Sequence, residues 1–268
     1  VDHHAALFSL AAIYLIIIAF RNRNKNLWYF VVGLFYLSFL SKQVPAAYIS
    51  VSVGIIVAFI LIKEKRFKEI NLIFLSAAIF LLCVIFILYL FNIDFKDFYL
   101  QYFQYPKTIG SSRFINFDIS YESFFNKYKF IVLPIFFICF AKFKQINKKN
   151  SQSKLIDNYN LLIFFLYFIC AISHQILTKN QIFIYFIIPI FFALADYEFK
   201  KTKLKYKNYI SIFLMLTVTL ITIKYHIRYN EERKFHELEN VNFNVSLEAK
   251  KIDKSLEGLL WINPYFKG

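Results

Sequence analysis

Apolar residues fall in long runs separated by short polar and basic stretches: Ala5–Phe20, Leu27–Leu40, Val44–Ile62, Ile70–Ile93, Phe130–Phe143, Leu161–Leu177, Gln181–Asp196 and Asn208–Tyr225. At roughly 1.5 Å of rise per residue, such runs cross much or all of a hydrocarbon core about 30 Å thick. They lack the apolar/polar alternation of barrel strands, and backbone in lipid must satisfy its own hydrogen bonds, so they predict helices. The pattern therefore predicts an all-α fold, a polytopic transmembrane bundle of about eight membrane segments. The short runs Phe130–Phe143 and Gln181–Asp196 need tilted neighbours, local thinning or snorkelling lysines to span.

Composition strengthens this reading, because 59% hydrophobic residues, 21% aromatics and a mean hydropathy of +0.50 exceed what a soluble domain carries. The net charge of +15 has its use in orientation. With residue 1 outside, the connections Arg21–Asn26, Lys63–Glu69, Lys142–Asn160 and Tyr197–Lys207 carry 17 of the 32 Lys and Arg, against seven in the outer connections before the tail. That asymmetry follows the positive-inside rule. It predicts a transmembrane domain over residues 1–226 with an outer loop at 94–129, and an extracytoplasmic tail over 227–268. No basic patch on a soluble recognition fold is visible, so nucleic acid is not an expected partner.

The first run carries its basic flank, Arg21 and Arg23, after it rather than before it, opposite to a secretory signal. An outer amino terminus of this kind predicts further membrane segments upstream of Val1. The three cysteines, Cys83, Cys139 and Cys170, lie inside apolar runs as small hydrophobes, with no metal or disulfide motif. Walker-type loops, nucleophile elbows and CxxC pairs are absent from the sequence.

The informative polar residues stand at predicted outer helix ends. Asp2-His3-His4 precedes the first run; Asp2 and His4 offer an oxygen and an imidazole nitrogen that suit a divalent ion such as Mg or Mn, although an N-cap Asp serves an interfacial helix equally well. Lys42 is the only charge between Lys25 and Lys63 and sits in Ser41-Lys42-Gln43-Val44-Pro45, placed to meet a lipid-linked phosphate as a point charge or to snorkel. The segment Asp94–Lys129 mixes charges with Tyr99, Tyr102, Phe103 and Tyr105, as an interfacial amphipathic element does, and includes Arg113, whose guanidinium can fork onto phosphate. Ser173-His174-Gln175 and Thr178–Gln181 read as a short polar outer turn, and the tail, with Arg233–Leu238 and later Leu256, Leu259, Leu260 and Trp261, shows partial helical periodicity.

Asp2-His3-His4-Ala5-Ala6-Leu7-Phe8 resembles the outer-surface Asp-x-Asp or Asp-His-His element of the GT-C superfamily, membrane glycosyltransferases that use polyisoprenyl-phosphate sugars. Ser38–Pro45, with Lys42-Gln43, resembles the Lys-Gln or Lys-Gly segment of bacterial members related to protein mannosyltransferases. The resemblance implies a transferase in the bacterial inner membrane, with Asp2 and His4 as metal ligands. It further implies that Lys42, Gln43, Arg113 and His174 lie near the donor phosphate, with membrane lipid as solvent and partner. It also implies a catalytic acidic residue upstream of Val1. No Trp-Trp-Asp signature follows, which disfavours a sequon-glycosylating enzyme. A non-enzymatic multispan transporter or lipid flippase is the alternative; paired broken helices in two halves would mark it, and no internal repeat is evident.

Overall fold

The structure is a computed structural model that describes residues 2–108, 121, 126–145, 152–178, 184–202, 204–227, 246–251, 254, 257, 258, 260 and 261. The described residues are overwhelmingly helical: α1 (Asp2–Asn22), α2 (Leu27–Ser41), α3 (Gln43–Lys63), α4 (Phe67–Leu90), α5 (Phe95–Tyr99), α6 (Asn126–Gln145), α7 (Gln152–Thr178), α8 (Ile184–Lys200) and α9 (Lys207–His226). Each apolar run of the sequence overlaps one of these helices, with α5 added between the fourth and fifth runs. Five of them contain stretches long and apolar enough to cross a membrane: His4–Asn22, Gln43–Lys63, Phe67–Leu90, Asn158–Leu177 and Lys207–His226. The helix α2 is equally apolar but only 15 residues long.

Two compact units divide the chain, Val1–Ser211 and Ile212–Gly268, with the division inside α9. In the first unit α1 packs along α2, α2 against α4, α3 against α7, and α6 against α8. Small residues permit the close approaches. At Gly33 of α2 an added Cβ would lie 2.6 Å from Cζ of Phe80 on α4, whose ring stacks on Tyr36 at 5.8 Å. Large apolar side chains face outward on nearly every helix, such as Phe74, Leu82 and Phe86 on α4, only 11% of whose most apolar stretch is buried in the bundle. In water such a surface would drive aggregation; in lipid it is the solvated face.

Buried carboxylates gather at the end of the bundle that holds Arg21. Glu69 is buried and accepts from Trp28 Nε1 at 2.6 Å and from Arg66 Nε and Nη2, both at 2.7 Å, while Arg66 also reaches Glu64 at 3.2 Å. The Arg66 guanidinium lies over the Phe20 ring, which meets Trp28 edge to face. Between α6 and α8, buried Glu198 pairs with Lys142 at 2.9 Å and Lys201 at 3.2 Å, and its carbonyl accepts from Gln145 Nε2 at 3.0 Å. Charges buried in this way persist because each is paired and hydrogen-bonded.

In the second unit Leu247–Glu248 pairs antiparallel with Leu260–Trp261, beside a 3₁₀ turn at Ala249–Lys251. Leu260 and Trp261 are thus extended rather than helical, which corrects the helical periodicity read for the tail. Gly258, at φ 87, supplies a backbone conformation open to glycine within the return between the strands. Lys250 pairs with Glu257 across that return. The tail segment Arg233–Leu238 lies outside the described residues.

Candidate functional site at the Asp2 end of the bundle

Three helices are tied together where α1 begins. Ser38 Oγ of α2 donates to the Ala5 carbonyl at 2.7 Å and lies 2.7 Å from Ser9 Oγ. A hydroxyl has one proton, so Ser9 is the donor in that second bond. Tyr167 of α7 donates to the neighbouring Ala6 carbonyl at 3.3 Å. Ser9, Ser38 and Tyr167 are all buried. The first turn of α1, which carries the Asp2-His3-His4 element, is therefore held by side chains from two other helices.

His4 is exposed on that turn, whereas the side chains of Asp2 and His3 lie outside the described residues. The backbone of α1 is helical from Asp2 onward, and positions two apart on a helix lie about 200° apart around its axis. Among the described residues no three His, Cys, Asp or Glu side chains converge.

Lys42 is the entire link between α2 and α3. Its backbone is extended (φ −158, ψ 124), and its N–H closes α2 on the Ser38 carbonyl at 3.0 Å. Gln43 follows as the first residue of α3, before extended Val44 and a cis Val44–Pro45 bond. Both Lys42 and Gln43 are half-buried. Ser38 thus ties α1 through its hydroxyl and positions Lys42 through its carbonyl, coupling the two sequence elements through one residue.

The aromatic segment beyond α4 lies over this end of α2. After α5 the chain widens into a π-helical turn at Leu100–Gln104, and Tyr102 donates to the Leu40 carbonyl at 3.1 Å while Phe103 meets Phe39 at 6.0 Å. Asp94 caps α5 by accepting from the Lys96 N–H at 2.9 Å. Arg113, further along the same loop, lies outside the described residues.

His174 and Gln175 are buried within α7, which continues to Thr178, so they stand in a helix and not in the polar turn read from the sequence. Gln175 accepts from Tyr128 of α6 at 3.3 Å, and its Nε2 finds no acceptor among the described residues. Buried amides are normally satisfied, so this nitrogen is suited to a ligand or water oxygen. Ser38, Tyr128 and Tyr167 were not singled out as site residues from the sequence. Only a hydroxyl at a position otherwise filled by apolar packing residues could have flagged them. No protein-family model matches the chain, nor does any curated protein or solved structure.

Proposed function

We propose that the chain is the membrane part of a GT-C-type glycosyltransferase, a bundle of about eight spans in the bacterial inner membrane. It moves a sugar from a polyisoprenyl-phosphate donor to an extracytoplasmic or lipid acceptor. The observation that carries this reading is the role of Ser38, which ties the Asp2-His3-His4 turn and the Lys42 link to one end of the bundle. These two elements resemble the superfamily from separate parts of the sequence.

In this reading the glycosidic carbon–oxygen bond to the donor phosphate breaks, and negative charge grows on the departing lipid phosphate. Lys42 meets that charge as an ammonium at a helix junction, and the Gln43 amide donates beside it. Arg113 and His174 serve the same phosphate. A divalent ion held by Asp2 and His4 would, when bound, add further positive charge there. The acceptor hydroxyl oxygen bonds to the sugar carbon as the phosphate leaves, and gives its proton to a carboxylate acting as base. The loop after α4 covers the sugar.

The test is turnover of a polyisoprenyl-phosphate sugar by membranes carrying the complete protein. Lys42→Ala should lower turnover by about 10²-fold, the loss expected for one charge aimed at a developing anion, while Lys148→Ala leaves it unchanged. Equal small effects of both substitutions would return Lys42 to a snorkelling role.

A further inference from the structure

A groove of about 620 Å³ runs between α2, α3 and α4. Its α3 floor extends from Ala47 to Leu61, about 21 Å of helix rise. Small residues on successive turns, Ser50, Gly54 and Ala58, make it deep, and a Cβ added at Gly54 would meet nothing within 4 Å. Its rim residues Val51 and Phe74 are 61% and 71% exposed, so it opens on the surface that faces lipid.

The wall offers nothing to a polar ligand. Its few polar groups are already engaged: Ser50 on the Ala47 carbonyl, Tyr36 on the Ala77 carbonyl and Trp28 on Glu69. Water needs two to four polar partners to occupy such a space, so the occupant is hydrocarbon.

The two ends of the groove differ. Phe98 and Phe103 close it at the Asp2 end. At the other end, between Leu61 and Ile70, the α3–α4 turn presents exposed Lys63, Lys65 and Lys68, while Arg66 is committed to Glu64 and Glu69. We infer that this groove holds one acyl chain of an anionic phospholipid, with the lipid phosphate at the Lys63–Lys68 turn. The tail is already in an apolar solvent, so selection comes from the shape of the groove and the charge of the turn rather than from hydrophobic transfer. The site is independent of the transferase reading, whose phosphate lies at the opposite end of the bundle.

Trp28 lines the groove near the basic turn, and the chain has two tryptophans. Trp261→Phe therefore leaves a single reporter at the site. The full chain carrying that change is reconstituted in phosphatidylcholine vesicles with increasing fractions of chain-brominated phosphatidylglycerol or, in parallel, chain-brominated phosphatidylcholine. Trp28 emission should be half-quenched at an about fivefold lower fraction of the anionic lipid, the effect of about one surface charge. Gly54→Phe, and independently Gly54→Leu, should remove the saturable quenching with helical circular dichroism unchanged. Replacing Lys63, Lys65 and Lys68 by Gln should abolish the headgroup preference and leave quenching by the chain. Equal quenching by both lipids, or saturable quenching indifferent to both Gly54 variants, overturns the inference. So does a change of oligomeric state in those variants without loss of quenching, which would give the groove to a second copy.

Discussion

Replacing Glu69 by Ala strikes an enclosed charge network. The Glu69 and Arg66 side chains are 6% and 12% exposed, so solvent screens their attraction little. The substitution removes two charge-assisted bonds from Arg66 and the acceptor of Trp28 Nε1. Arg66 keeps Glu64, at 3.2 Å, and the face of the Phe20 ring. Breaking a buried pair from one side costs about 3–5 kcal/mol. That figure includes the orphaned indole N–H, worth about 1–3 kcal/mol. Glu69→Gln keeps an oxygen for Trp28 and loses the charge, so it should cost roughly half as much. Replacing Arg66 and Glu69 together by Leu removes the buried pair, leaves without its partner only Glu64, whose side chain is 26% exposed, and should cost little beyond the about 1–3 kcal/mol of the indole. The assay is unfolding of the detergent-solubilised chain by increasing mole fraction of dodecyl sulfate, followed by Trp28 emission in a Trp261→Phe background. A Glu69→Ala loss below about 1 kcal/mol, the value of an exposed pair, would refute the reasoning. So would Glu69→Gln as damaging as Glu69→Ala.

Topology follows from the basic connections: a reporter fused after Asn150 should read cytoplasmic and one fused after Gly268 extracytoplasmic, and both on one side would end the eight-span arrangement. Gly33→Ala should destabilise the bundle by about 1–2 kcal/mol, because its methyl drives the Phe80 ring off Tyr36. In the same dodecyl sulfate assay Phe80→Leu should restore much of that loss, and additive losses would mean that the two residues do not meet. At the α1 end, Asp2→Ala and His4→Ala should each weaken metal-dependent turnover more than His3→Ala; turnover indifferent to chelator would leave Asp2 as a helix cap.

The helices were legible because lipid imposes one requirement along the whole length of a span, and runs such as Ile70–Ile93 answer it without help from distant residues. Helix ends were less so. His174 and Gln175 read as a turn because polar side chains at a membrane edge look alike whether buried or solvated, and α7 in fact continues through them. The Glu69 and Glu198 networks were hidden for another reason. Each carboxylate stands among lysines in a stretch that reads as a solvated connection, and its burial depends on Trp28 or Lys142, far away in sequence. Lys42 could be placed in advance because a lone charge beside proline between two apolar runs leaves only a tight link. Its coupling to α1 through Ser38 could not, since a serine inside an apolar run is silent until its partner helix is known.

The single-residue link at Lys42 also governs how the chain enters its bilayer during synthesis. The 15 residues of α2 rise about 22 Å, short of a hydrocarbon core of about 30 Å. Alone, α2 would be a poor stop for the insertion machinery. Joined to the 21 residues of α3 with no spacer, it cannot be released separately, so the two partition as one hairpin. In the orientation that the basic connections predict, only one ammonium crosses with them, a penalty of about 2.5–3.5 kcal/mol at the membrane centre, which the apolar length of both helices outweighs. The joint that positions Lys42 thereby also makes the second and third helices a single unit of biogenesis. Lengthening it with polar residues would raise the penalty for both helices at once.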